Sequence, residues 1–355
     1  MRGWCNRPGN RAGTGGHTRF VWDPKSLKQL SVLLAFAGLI LATALIGWFG
    51  AGHVADALMS VGWEGFSALL GWNVLLAGLL GLAWAALMPP GTAPAGGLIW
   101  ARMVRDAAGN CLPFSQMGGV VLGTRALAVQ GVRWPLAAAG SVVDVTAEFL
   151  AQIGFMLIGL IELLNHAPGS RLTVPAGAGL VLAGAGAAGF MWLQRGGGRL
   201  FGALARRIAA PWFAEAPAHV RAFQDDLTRL YASSARLALG VALHLAGWIG
   251  GGTGTWIAFQ LLGADLDFDD ALAIDALTHI ALSATVLVPA GAGVQEVAYA
   301  SLGAIFGVPA ELSLSVSLLR RARDLAMGIP ILLVWQSLEM RRAALAAHVP
   351  AGPIE

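Results

Sequence analysis

Apolar residues gather along the chain in six long blocks, 31–52, 65–88, 135–164, 174–193, 235–262 and 309–338, parted by polar stretches. Each block meets the roughly 20 residues that a helix needs to cross the hydrocarbon core of a bilayer. Two further apolar stretches, 97–130 and 268–306, are interrupted near their middles by proline and glycine. Broken backbone at membrane depth is tolerated only where protein or a polar cavity covers it, so both predict re-entrant hairpins. The runs are too long and continuous for barrel strands. The pattern predicts an all-α integral membrane protein with six full transmembrane helices plus two re-entrant helical hairpins.

A register recurs within this pattern. Residues 112–160, moved by 176 positions without a gap, bring Leu112-Pro113 onto Val288-Pro289, Val132 onto Val308, Leu136 onto Leu312, Ser141 onto Ser317 and Glu148 onto Asp324. Repeats of this kind in membrane proteins build two halves around a shared site. Three crossings, an odd number, separate equivalent points. The copies are therefore predicted to lie upside-down relative to each other, an inverted-topology repeat with halves at about 30–164 and 174–338.

Composition agrees: 56% of residues are hydrophobic, 12% are charged, and the mean hydropathy is +0.67. Arginine and lysine concentrate in a basic N-terminal arm (1–29), in 89–134, in an amphipathic insertion at 194–234 and in the tail (341–355). The opposite loops hold only Arg171, among acids such as Asp56, Glu64, Asp265 and Asp267. By the positive-inside rule both termini are cytoplasmic, around one polytopic domain at 30–340. The net charge of +3 thus reflects membrane sidedness, and no nucleic-acid partner is expected. Trp48, Trp63, Trp134, Trp192 and Trp335 fall near span ends and read as interface anchors. Cys5 and Cys111 imply no disulfide framework, and no spacing suggests a metal or a cofactor.

Charges inside the apolar blocks are the candidate chemistry. Asp144, Glu148 and Gln152 follow one another at i, i+4 and i+8 on one face of the third span. Arg320, Arg321, Arg323 and Asp324 sit within the last apolar block, with Arg320, Arg323 and Asp324 on a shared face. A lone charge at the bilayer centre costs roughly 2.5–3.5 kcal/mol on insertion scales, so such groups pair or contact water. The simplest arrangement sets Asp144 and Glu148 against the arginine cluster across the two-fold. Either it is a structural lock between the halves or it handles a substrate headgroup. The hairpin tips form a second constellation: Asn110, Pro113, Gln116 and Gly119 in one, Pro289, Gly293 and Glu296 in the other. Free N–H groups at a helix start suit an anionic or hydroxylated headgroup. Glu296 is equally a favourable N-terminal charge, and the prolines are equally architectural. His244 and His279 read either as satisfied core histidines or as proton relays.

These residues carry a resemblance. The Asn110-x-Leu-Pro…Gly-Gly119 loop, the Pro289-Ala-Gly-Ala-Gly-Val-Gln-Glu296 loop and the Ser317-Leu-Leu-Arg-Arg-Ala-Arg-Asp324 run resemble the flippase-like family, also called the lysylphosphatidylglycerol synthase transmembrane-region family. Over about 30–340 the chain is most similar to the hopanoid-biosynthesis-associated membrane proteins. The resemblance implies a bacterial inner-membrane protein that moves or presents a lipid, with a hopanoid or its precursor as candidate cargo. Val120 stands where the family's first loop often carries an acid, and the nearest following arginine is Arg125, which weakens a headgroup role for that loop. No soluble aminoacyl-transferase domain is expected after the last span, and neither is lysyl transfer.

The resulting expectation is a lipid flippase or transporter for a hopanoid, isoprenoid lipid or glycolipid, not an enzyme, with lipid-biosynthetic enzymes as candidate partners. Its expected path runs along Asn110, Pro113, Gln116, Gly119, Asp144, Glu148, Gln152, Pro289, Gly293, Glu296, Arg320, Arg323 and Asp324. The alternative is a membrane enzyme, or its accessory subunit, in hopanoid or polyprenyl lipid biosynthesis.

Overall fold

Glycine brings two long helices together at the centre of the molecule. Side chains added at Gly240, Gly247 and Gly250 would lie 2.4–2.6 Å from Leu87, Leu80 and Leu76, and the Trp72 indole N–H donates to the Gly250 carbonyl at 2.8 Å. Ascending numbers on one helix meet descending numbers on the other, so the pair is antiparallel. Small residues let backbones approach this closely where lipid offers no hydrophobic drive for association.

The structure, a computed structural model, describes residues 51–111, 115–196, 216–284 and 293–347. Among the described residues ten helices and no strand are found. They are α1 (Ala51–Leu87), α2 (Ala95–Cys111), α3 (Ser115–Ala128), α4 (Trp134–His166), α5 (Thr173–Gly196), α6 (Ala216–Tyr231), α7 (Ser234–Leu261), α8 (Phe268–Ala284), α9 (Val294–Ile305) and α10 (Ala310–Ala347). The antiparallel pair above is α1 and α7.

Among the described residues four segments are long and apolar enough to cross a membrane: Met59–Leu87, Trp134–His166, Thr173–Trp192 and Ser234–Leu261. The expected crossing at 31–52 lies outside the described residues, as do the arm 1–29 and residues 348–355. The expected crossing at 309–338 lies within α10, 38 residues long, whose four charges between Arg320 and Asp324 set it apart from the apolar four. α10 is one helix with Pro330 inside it and continues to Ala347.

The 176-residue register extends to whole elements. Shifted by it, α2 falls on 271–287 against α8, α3 on 291–304 against α9, and α4 on 310–342 against α10. Gly131 and Gly307, equivalent under the shift, both take positive φ (93° and 77°) in the turn before the long helix. Only glycine adopts that backbone freely. Val132 and Val308, next in sequence, are both buried, as are Ser141 and Ser317.

Each broken stretch is a pair of short helices. α2 and α3, 17 and 14 residues, span about 25 and 21 Å by helical rise. They run antiparallel: Gly119 lies against the Arg105 carbonyl and Gly109, while the Gln130 amide donates to the Gly97 carbonyl at 3.0 Å. A methyl group on Gly119 would stand 2.6 Å from the Arg105 carbonyl oxygen, where backbone on both sides cannot yield. Gly119→Ala is therefore expected to cost about 1–3 kcal/mol by overpacking, read as a lower unfolding temperature in detergent; an unchanged temperature would contradict this packing. Gly119 thus owes its place to architecture.

Among the described residues the two largest apolar cores follow this arrangement. One gathers Trp84, Leu98, Val104, Leu127 and Trp335 where the first hairpin meets α1 and α10; the larger gathers Phe66, Met156, Phe259, Ile274, Tyr299 and Leu319. Trp335 is therefore no interface anchor, because α10 runs on past it and turns the ring into the hairpin core. Trp63, Trp134 and Trp192 are exposed; Trp48 lies outside the described residues. α6 falls within the stretch 194–234, of which 197–215 lie outside the described residues. α6 docks on α4 through Phe223, Leu227 and Leu230 against Val143 and Ala147, with Arg133 held to the buried Asp226 at 3.2 Å.

Candidate functional site

Arg102, Arg105 and Asp106 follow the i, i+3, i+4 spacing of one helix face, and α2 turns that face toward Asp144 and Glu148 on α4. The Arg102 guanidinium forks, donating to Asp144 at 3.1 Å and to Glu148 at 2.7 Å, and its Nε donates to Asp106 at 2.8 Å. Arg105 spans the same two carboxylates. From α7, His244 Nε2 lies 2.9 Å from the other Asp144 oxygen, and the Trp248 indole donates to the Glu148 carbonyl at 3.3 Å. Asp144 is fully buried, while the Glu148 side chain keeps 21% of its exposure.

The second half builds its own cluster. Arg320 on α10 donates to Thr255 and to Asp275 on α8, and stands over the Tyr299 ring 5.6 Å from its centre. The Tyr299 hydroxyl donates to the same Asp275 oxygen at 2.7 Å, and Thr255 Oγ1 at 3.1 Å. The other oxygen, Oδ2, is buried without a hydrogen bond among the described residues and lies 4.0 Å from His279 Nε2.

Between the halves the charges trade places. In the first, the hairpin supplies the arginines and the long helix the acids; in the second, the hairpin supplies the acid and the long helix the arginine. Asp144 and Arg320 occupy equivalent positions under the 176-residue shift. The arrangement expected from the sequence, with Asp144 and Glu148 against Arg320–Asp324, is not what forms. The arginines nearest those acids are on the adjoining helix α2, where the sequence placed them among loop charges, and pairing between neighbouring helices needs no reach to α10.

The remaining candidates divide. Glu296 opens α9, accepts the Gly293 N–H at 2.9 Å and pairs with Arg321 at 3.1 Å, joining the start of α9 to α10. Gly293 takes φ 79° as the N-cap. Arg323 pairs with its neighbour Asp324 at 2.8 Å, apart from the Asp275 cluster. Asn110 is exposed at the end of α2, and Gln116 falls in the first turn of α3; Pro113 and Pro289 lie outside the described residues. Gln152 lines a groove of about 390 Å³ between α4, α5 and the end of α8, together with Phe149, Met156, Gly186, Phe190 and Ser283. Arg102, Arg105, Asp106, Asp275, Thr255 and Tyr299 belong to the clusters and were not among the expected path residues. The Arg-x-x-Arg-Asp spacing inside an otherwise apolar stretch was the signal for the first three.

A family model described as Lysylphosphatidylglycerol synthase TM region matches residues 35–331. No curated protein and no solved structure matches the chain.

Proposed function

The chain belongs to the lysylphosphatidylglycerol synthase TM region family, and from this premise we propose that it moves a lipid between the leaflets of a bacterial inner membrane. The observation that carries the reading is the pair of buried charge clusters, one in each half, flanking the antiparallel contact of α1 and α7. Ionisable groups at membrane depth face a bundle interior or a wet cavity and mark substrate paths. The two halves form an inverted-topology repeat whose short helix pairs enter as re-entrant hairpins from opposite sides, both termini being cytoplasmic. Alternating access then amounts to one half rocking against the other around a fixed site. The cargo is a hopanoid or isoprenoid-type lipid: its polar end passes the partly exposed Glu148, and its apolar chain lies in the groove beside Gln152.

The test is leaflet exchange in proteoliposomes, read by quenching of a fluorescent lipid analogue from outside. Faster exchange of isoprenoid or hopanoid analogues than in protein-free vesicles supports the reading. Background exchange from correctly inserted protein overturns it.

The groove has its own test. A side chain at Gly186 would meet no atom within 4 Å of its Cβ, so Gly186→Leu is expected to fold while filling the groove. Native mass spectrometry should show roughly tenfold less retained lipid, the equivalent of about 1.4 kcal/mol. Gly184→Leu, equally open but outside the groove lining, should retain lipid as the parent does. Equal retention by both variants contradicts a tail in this groove.

A further inference from the structure

The groove beside α4 contains a polar side chain with nothing to bind. Gln152 stands near the middle of the 33-residue α4, lines this groove, and makes no hydrogen bond among the described residues. Ser283, the other polar side chain of the lining, is committed: its hydroxyl donates to the His279 carbonyl at 2.8 Å. The rest of the lining is apolar or glycine, and none of it is ionisable. On α5 the lining runs from Gly179 to Phe190, about 16 Å by helical rise. The Phe149 and Phe190 rings, 6.5 Å apart, stand one turn before Gln152. Toward the other end α5 closes on α8, where a side chain at Gly179 would lie 2.4 Å from Ile280. The volume, about 390 Å³, falls within the roughly 300–1,000 Å³ of small-molecule sites.

A carboxamide at this depth has no water to satisfy it, and polar groups inside a bilayer find partners. Its carbonyl accepts and its NH₂ donates, and a hydroxyl does both, so the two groups satisfy each other. We propose that the groove binds the hydroxyl of an uncharged lipid alcohol, and that Gln152 is the residue that selects it. That a lipid enters this groove is the premise taken from the transport reading; the carboxamide adds the class of its polar end. Polar groups of a resting lipid stay at the membrane interface. A partner at mid-span therefore serves a polar end on its way between the leaflets.

Charged head groups fare badly here. A phosphate needs a cation, and none lines the groove. One turn back along α4, Glu148 engages Arg102 and Arg105, so those guanidiniums are committed to carboxylates, and the part of Glu148 left exposed repels an anion. An ammonium lacks a carboxylate within the lining. A hydroxyl needs neither, and after passing Glu148 it reaches Gln152 one turn further on. A site built to hydrogen-bond a hydroxyl also rejects the analogue that lacks it, because its own polar group is then left unpaired.

Three probes with one chain test this: geranylgeraniol, geranylgeranyl phosphate and the hydrocarbon without the hydroxyl. The full chain in detergent is offered equal amounts of all three, and native mass spectrometry counts what it retains. The alcohol is expected to exceed each of the others by about tenfold. In Gln152→Leu, of similar size, alcohol and hydrocarbon should be retained alike, with hydrocarbon retention unchanged from the parent. Gln152→Met serves if the leucine variant does not fold. Equal retention of alcohol and phosphate by the parent overturns the uncharged class, and retention of none of the probes overturns the site. A preference for alcohol that survives both substitutions, or a fall in all three probes together, overturns the role of Gln152. A preference that depends on Gln152 in a protein showing only background leaflet exchange supports the site and removes the transport reading instead.

Discussion

Asp144→Ala is expected to cost about 3–5 kcal/mol of folding stability, the effect of removing one partner from a buried charge pair. Asp144 accepts from Arg102, Arg105 and His244 and is itself fully buried. Without it, both arginines keep Glu148 as their shared acceptor, and Arg102 keeps Asp106, but the α7 contact through His244 is lost. The loss exceeds a single hydrogen bond because the unpaired donors are left buried. A drop of several degrees or more in unfolding temperature, with poor recovery from the membrane, is the expected reading. An unfolding temperature within a degree of the parent would show that these groups do not meet in the folded protein.

The second large effect separates a fastener from a site. Asp275→Leu alone should destabilise the protein by a similar about 3–5 kcal/mol, because it leaves the Arg320 guanidinium among Thr255, Tyr299 and apolar neighbours. Replacing both charges, as Asp275→Leu with Arg320→Met, removes the desolvation cost along with the attraction. Buried ion pairs exchanged for apolar groups of similar size are often neutral or stabilising, so the double variant should recover most of the lost stability. Thermal unfolding of the parent, the single variants and the double variant measures the coupling directly. A double variant as unstable as Asp275→Leu alone would show that Arg320 depends on contacts other than Asp275.

Much of the frame is legible in the sequence because it rests on local rules. The four long apolar spans follow from uninterrupted apolar runs, and the 176-residue register recurs in the glycine turns at Gly131 and Gly307. The choice of charge partners is not legible in the same way. Arg102 and Arg105 lie in a segment whose other basic residues, Arg125 and Arg133, are exposed and pair with Glu339 and Asp226. Counting arginines by segment therefore treats buried and solvated ones alike. Nor does helical spacing say which neighbour a face meets: it puts Asp144 and Glu148 on one stripe, but only the turn at Gly131 brings α2 over that stripe. Asp275 lies in a stretch, 268–306, that contains no arginine or lysine, so no local partner marks it, and Trp335 falls near the end of its apolar block although its helix continues to Ala347.

The central claim is that the charge clusters carry the cargo's polar end and do more than hold helices together. The initial rate of lipid transfer in vesicles by the folded Asp275→Leu/Arg320→Met double variant tests this most directly. A stable, inserted variant that transfers lipid about tenfold or more slowly than the parent is the predicted result. Transfer at the parent's rate would make the pair a fastener and contradict the account.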